Sequence, residues 1–308
     1  MMNNANKKVD EYLAYLSNVR GVSARTSEAY RRDLEHFAAY CANHDFSPET
    51  ATPNEVRGFI ADLSAEGAAS VSVNRALSSI RGFFRWMMRF GYRSDDPAAE
   101  LRNLKTPKTL PSFLWETEMF EFQELTEKSD ILWPERDKAI ILCMYSGGLR
   151  VSETVSLSLN CMERDFSGAR IIGKGGKERR VFFSEEAEEA LRVYLSVRNT
   201  RVKDERPTDK VFVSLKGAGI SVPGVRWIIS KYSRRLGLGK NIYPHLLRHS
   251  FATHMVNAGC DVRVVQELLG HTSISTTQRY THVDMERLKN VYNSAHPHGG
   301  KKETIWTK

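Results

Sequence analysis

Six polar side chains in the second half of the chain are of the kinds that move a phosphoryl group. Arg150 lies in GGLRVSE, where an apolar helix carrying Ile140, Ile141, Leu142 and Met144 meets a glycine pair. Lys174 is at the tip of GKGGKE. His245 and Arg248 stand three apart in HLLRHSFATH, on one face of a helix. His271 and Tyr280 are nine residues apart in GHTSISTTQRY. Arginine is permanently charged and grips phosphate with a fixed fork. Two arginines can clamp the non-bridging oxygens of one phosphodiester and stabilise the charge that grows in a pentacoordinate transition state, where one such donor is commonly worth ~3 kcal/mol. Tyrosine is a poor nucleophile near neutrality, with a pKa of about 10, but cations and a histidine base make its phenolate accessible. A lysine among arginines can protonate a leaving oxygen. The set is equipped to transfer a phosphodiester to tyrosine with no metal. Tyr280 sits in TTQRYTH, with no apolar neighbour before Val283.

The elements that must hold these groups read as two domains, as expected for 308 residues at roughly 100–200 per domain. Residues 1–103 read as helices. Tyr12, Leu13, Leu16 and Val19 follow helical spacing, as do Tyr30, Leu34, Phe37 and Tyr40. TPNEVRGFIADL opens with Thr52 as N-cap, Pro53 at the first helical position and Glu55 completing a capping box. A longer helix over VNRALSSIRGFFRWMMRFG stops near Gly91 and carries Arg75, Arg81, Arg85 and Arg89. Arg75 and Arg81 are candidate DNA contacts, although a solvated basic face is an equally good reading of either. Residues 104–112, with Pro107 and Pro111, read as a linker in which Lys105 is placed to touch a phosphate backbone. The second domain spans 113–295. It opens with helices, changes period to two short strands at 169–172 and 179–183 about a glycine-rich turn, and adds a further short strand or extended piece at 211–214. Ser184 caps a helix with Glu185 and Glu186 in its first turn. The rest is helical to about residue 293, and 296–308 reads as a loose tail.

Composition narrows the partners. The formal charge of +8 makes nucleic acid a leading candidate without proving it. Hydrophobic residues at 41% suffice for real cores. No stretch approaches ~18 consecutive apolar residues, and the N-terminus lacks the apolar run of a signal peptide, so a cytoplasmic protein is expected. Cys41, Cys143, Cys161 and Cys260 are scattered, which speaks for reduced thiols and against a cysteine-built zinc site. His245 and His249 have the i, i+4 spacing of a zinc pair, but Leu246 stands where a zincin needs Glu. GARIIGKG imitates a phosphate loop, but Gly175 replaces the Ser or Thr that would meet magnesium.

GLRVSE, GKGGKER, HLLRHSFATH and LLGHTSISTTQRYTHV, in that order and at compatible spacing, make the chain resemble the tyrosine recombinases of the phage-integrase family, and within it the Xer group. The resemblance covers nearly the whole chain. It implies a mainly α fold with a small β-sheet. A helical, SAM-like core-binding domain and an α+β catalytic domain would close as a clamp on duplex DNA. It implies that Arg150 and Arg248 hold the scissile phosphate, Lys174 protonates the departing 5′ oxygen, His245 helps to move the tyrosine proton and His271 hydrogen-bonds the phosphate. Tyr280 would attack to give a 3′-phosphotyrosine, and Glu153 would support the site. No metal, ATP or other cofactor is implied. Partners would be double-stranded DNA with inverted half-sites, three further protomers of this chain or a related recombinase docked cyclically through the last helix at about 284–293, and an activating DNA translocase. The first helix starts near residue 10, leaving no room for the extra N-terminal module of arm-type integrases. The reaction expected is site-specific recombination through a Holliday junction, resolving chromosome dimers at a dif-like site. A mobile-element integrase or transposase, a relaxing topoisomerase and an idle DNA-bridging protein remain alternatives.

Overall fold

The computed structural model describes residues 2–22, 24–106, 113–127, 133–173, 178–201, 208–270 and 282–297. The chain divides into two compact units, Met1–Leu110 and Pro111–Lys308.

The first unit is built from α1 (Met2–Asn18), α2 (Ala24–Asn43), α3 (Pro53–Ala65) and α4 (Ser70–Arg89). α1 starts well before residue 10, because a polar segment without Pro or Gly continues the helix backward from the apolar stripe. α3 is fixed by the capping box anticipated from its sequence: Thr52 Oγ1 accepts from Glu55 N at 3.4 Å, and Glu55 Oε2 accepts from Thr52 N at 2.6 Å. Tyr12, Phe37, Phe59, Phe83 and Phe84 fill the core between the helices. α4 is tied to its neighbours by its own arginines. Arg75 donates Nε and Nη2 to the Asp33 carboxylate of α2 at 3.0 and 2.9 Å. Arg81 donates to the carbonyls of Ala98 and Leu101 and to Asn103 Oδ1.

The second unit is arranged around α6 (Pro134–Ser146). From Ala139 to Ser146 every side chain of α6 is buried, the signature of a helix with protein on all sides. Around it stand α5 (Glu116–Glu127), α7 (Val151–Ser156), α8 (Glu185–Arg198), α9 (Val222–Leu236) and α10 (Pro244–Asn257), with α11 (Val262–Leu269) and α12 (His282–Ala295) against α10. β1 (Gly168–Ile172) and β2 (Glu178–Phe182) pair antiparallel, with Gly168 opposite Phe182 and Ile172 opposite Glu178. The segment after β1 therefore joins two antiparallel strands, where a phosphate loop would join a strand to a helix. Ser184 caps α8 by accepting from Ala187 N.

Two further differences from the sequence reading have physical causes. Residues 211–214 form no strand, since their backbone bonds scatter. Val211 N donates to Leu157 O, Phe212 O accepts from Ile220 N, and Ser214 N donates to Ala218 O, so only a single bridge forms, between Val213 and Gly219. His296, read as the start of a loose tail, is fully buried and stacks on Tyr292 with ring centroids 4.9 Å apart, which fastens the end of α12 to this unit's own core. Among the described residues no helix is long and apolar enough to cross a membrane.

Candidate active site

Where α6 ends, Gly147 and Gly148 turn the chain. Gly148 has φ +55, and a Cβ there would meet Phe251 at 2.8 Å and Leu269 at 2.9 Å, so only glycine lets this turn lie against α10 and α11. Arg150 follows in extended conformation as the N-cap residue of α7. Its side chain is partly open, at 30% exposure. Glu153, at the third position of α7, reaches back so that its Oε2 accepts from Arg150 N at 2.7 Å. This is half of a capping box and puts a carboxylate at the positive end of the helix.

Glu153 is 4% exposed, and its carboxylate is ringed by cations. Its Oε1 accepts from Arg150 Nη1 at 2.8 Å. Arg179 of β2 meets it edge-on, Nη1 to Oε1 at 2.8 Å and Nη2 to Oε2 at 3.0 Å. Arg248 Nη1 lies 3.7 Å from Oε2. Burial alone would raise the Glu153 pKa. The hydrogen bonds and charge of Arg179, with those of Arg150, win and hold it at about 2.

Arg248 projects inward from α10 and is 6% exposed. Its Nη1 donates to Gly148 O and its Nη2 to Leu269 O, each at 2.5 Å. Burial, then the charge of Arg150, then that of Arg179, press its pKa from 12.5 down to about 9, against the pull of Glu153. It is still a cation at neutral pH, but one short of negative charge. Among the described residues, three guanidinium groups against one carboxylate leave two positive charges in this cluster. It is an anion seat with donors pre-aimed by the backbone.

His245 shares α10 with Arg248 but stands one turn earlier, exposed, beside the N-terminal Pro244. Of the residues singled out by sequence, the structure brings Arg150, Glu153 and Arg248 together and places His245 on the helix that carries Arg248. Lys174, His271 and Tyr280 lie outside the described residues. His254, by contrast, is buried, with Nδ1 on Tyr145 Oη and Nε2 on Leu114 O, both at 2.7 Å. In the first unit, Arg75 and Arg81 have structural duties, and any DNA contact of theirs must share guanidinium groups already engaged. Lys105 is exposed.

Sequence reasoning passed over Arg179. The signal was present in the strand register. Arg179 and Val181 pair with Ile171 and Ala169, which are 5% and 0% exposed, whereas Arg170 and Ile172 of β1 face out. An arginine on the buried face of a strand calls for a buried carboxylate.

Comparison with known proteins gives the family of the chain. The profile of the phage integrase family matches residues 117–287, and that of the phage integrase N-terminal SAM-like domain matches residues 9–91. The tyrosine recombinase XerC of Treponema denticola is 39% identical over 303 residues, covering 95% of this chain and 99% of the relative. The tyrosine recombinase XerD of Listeria innocua is 38% identical over 299 residues, covering 95% and 99%. In fold, the chain is similar to XerH bound to a palindromic difH substrate, with a TM-score of 0.67 at 23% identity over 88% of this chain and 80% of that one. It is also similar to the Tn1549 transposon integrase in complex with circular intermediate DNA, with a TM-score of 0.70 at 15% identity over 91% and 98%. A SAM-like helical unit, a catalytic unit with one small hairpin and an arginine cluster around a buried acid thus stand in a chain that belongs to the phage integrase family, the tyrosine recombinases.

Proposed function

We propose that this chain is a site-specific recombinase that cuts and rejoins DNA through a 3′-phosphotyrosine. The observation that carries the reading is the doubly positive cluster of Arg150, Arg179 and Arg248 about Glu153, in which the buried Arg248 lacks sufficient counter-charge. A phosphodiester supplies that charge. Arg150 and Arg248 bind its non-bridging oxygens, and Tyr280 attacks phosphorus. The P–O bond to the 5′ oxygen breaks as Lys174 gives that oxygen a proton. His245 takes up the tyrosine proton, and His271 donates to the phosphate. The new phosphotyrosine ester retains the free energy of the phosphodiester, so a 5′ hydroxyl of a partner strand can reverse the step without ATP, metal or cofactor.

The full-length similarity to XerC and XerD proteins supports a finer reading. In it, two duplex sites with inverted half-sites are held by four protomers, of this chain alone or with a related recombinase. Each protomer closes its two domains on DNA, and subunits engage cyclically through the C-terminal helix. The product is the resolution of chromosome dimers at a dif-like site in the cytoplasm, on the nucleoid, with a DNA translocase as activator. Because Tyr292 and Ala295 already sit in this chain's own core, cyclic contact must use other parts of α12 or exchange its end.

The test is covalent trapping in EDTA. The protein is incubated with a nicked duplex whose cleaved end diffuses away, drawn from candidate recombination sites of its own chromosome, and run on a denaturing gel. An adduct formed in EDTA by the wild type and absent from Tyr280→Phe, which still binds the DNA, is the expected result. An adduct that survives Tyr280→Phe, or DNA binding with no adduct at all, overturns the reading.

A further inference from the structure

Arg179 lies outside the set of groups given a role in the reaction, yet three segments of the site converge on it. It rises from β2, five residues after Lys174 in the sequence. Its fork occupies one edge of the Glu153 carboxylate, on α7. Its Nε donates to Leu268 O, at the end of α11, at 3.1 Å. Its Cδ lies so close under Gly270 that a Cβ there would stand 2.8 Å away, in the turn that leads to His271.

The consequence is a matter of which cation Glu153 binds. A carboxylate has two oxygens and about four lone-pair positions. Arg179 fills two of them, and the backbone N–H and Nη1 of Arg150 fill two more. Arg248 is therefore left at 3.7 Å, and among the described residues its Nη1 and Nη2 bond only to carbonyl oxygens, which carry no charge to neutralise it. Remove Arg179 and two acceptor positions open within reach of Arg248. The cluster then holds one net positive charge instead of two, and the arginine meant for phosphate has an internal partner.

Resting on the reaction proposed above, we infer that Arg179 is a positioning residue: it occupies Glu153 so that Arg150 and Arg248 remain available to the scissile phosphate. This role requires no contact with the phosphate or the tyrosine. Arg179 acts by keeping an internal anion from competing with the substrate's anion, and by joining the hairpin of Lys174 to the turn before His271.

The experiment compares wild type, Arg179→Met, Arg179→Lys and the double variant Arg179→Met, Glu153→Gln. The readouts are single-turnover adduct formation at saturating DNA, DNA affinity and thermal unfolding. Arg179→Met is expected to bind DNA within about threefold of wild type, because one internal group is a small part of a phosphate-dominated interface. Its cleavage is expected to fall roughly ten- to a hundredfold, the scale of a small misplacement of reacting groups. Arg179→Lys, which keeps the charge and loses the fork, is expected to lie between them. Adding Glu153→Gln to Arg179→Met is expected to raise the rate again, since the competing carboxylate is gone. A purely structural role predicts the opposite, because the second change removes one more set of hydrogen bonds. Wild-type cleavage by Arg179→Met, or a double variant no faster than the single one, overturns the inference. Should Arg179→Met fail to fold, Arg179→Lys with and without Glu153→Gln must show the same order. Absence of a Tyr280-dependent adduct in the wild type would instead sink the proposed reaction itself.

Discussion

Neutralising Glu153 is the most direct probe of the cluster. Glu153→Gln keeps the shape of the side chain and one acceptor oxygen but deletes the charge on which two arginines converge at 2.7 to 3.0 Å. The carboxylate is held at about 2, from an ordinary value of 4.5. At 1.36 kcal/mol per pH unit, its ionisation contributes about 3 kcal/mol to the folded state at neutral pH. That agrees with the roughly 3–5 kcal/mol lost when one member of a buried ion pair is removed and the other is left uncompensated. For a unit of this size, it corresponds to a fall in Tm of about 6–12 °C.

The pH dependence follows from the sign of the shift. A carboxylate whose pKa is depressed on folding gives its full contribution above its unfolded value. The contribution fades as the pH falls toward the folded value. Urea unfolding of wild type and Glu153→Gln should therefore differ by a constant amount from pH 8 to about pH 5.5. The two should converge below about 4.5, with the gap roughly halved near pH 3. A gap under about 1 kcal/mol at neutral pH, or one that stays constant down to pH 3, would refute the assignment of Glu153 as the ionised hub.

Two further outcomes are expected. Lys174→Ala should cleave ordinary DNA slowly and recover much of its rate when the leaving 5′ oxygen is replaced by sulfur, which needs no proton to depart; single-turnover cleavage without recovery would remove Lys174 as the general acid. Gly270→Ala imposes a left-handed φ of +66 on a residue with a Cβ, a cost of about 1–2 kcal/mol, and drives that Cβ to 2.8 Å from Arg179 Cδ. It should lower cleavage while leaving DNA affinity intact, and a wild-type cleavage rate would show that the contact does not govern Arg179.

Much of this site was legible in one dimension because its parts are local. GLRVSE places Arg150 and Glu153 three apart at a helix start, a spacing that already implies a shared carboxylate. The Thr52 box and the Ser184 cap are likewise local, and both formed as the sequence implied. What escaped depends on contacts distant along the chain. Arg179 meets Glu153 across 26 residues and Leu268 across 89. Its neighbours in the sequence, Glu178 and Arg180, pair with the outward-facing Ile172 and Arg170, and composition does not tell the two faces of the strand apart. His296 was misjudged for a related reason. HPHGGKKETIWTK is polar and rich in glycine and lysine, yet its first residue lies within stacking distance of Tyr292, one turn back on α12. Helical periodicity decides where that ring falls, and composition does not. Arg75 and Arg81 show the converse. A run of arginines on one helix resembles a DNA-binding stripe, and its spacing does not announce that Arg75 also ties to Asp33 and Arg81 to the carbonyls after α4.

The charge balance of the cluster has a meaning in terms of the reaction proposed for it. Without substrate, Arg150, Arg179 and Arg248 would repel one another at close quarters, and one fixed carboxylate relieves part of that repulsion. It does not relieve all of it. Two positive charges remain, and the buried Arg248 stands 3.7 Å from the carboxylate with its own hydrogen bonds given to Gly148 O and Leu269 O. A bound phosphodiester brings one negative charge, and attack by a phenolate brings the phosphorane to two. The cluster is thus under-compensated when empty, better compensated with substrate and balanced only at the transition state. An interaction that grows along the reaction coordinate lowers the barrier, whereas one already complete in the ground state only tightens binding. A second internal acid would quiet the arginines at rest and forfeit that difference. Removing Glu153 would leave three cations pressed together in a protein interior. One acid, shared out so that Arg179 takes the larger part of it, meets both demands.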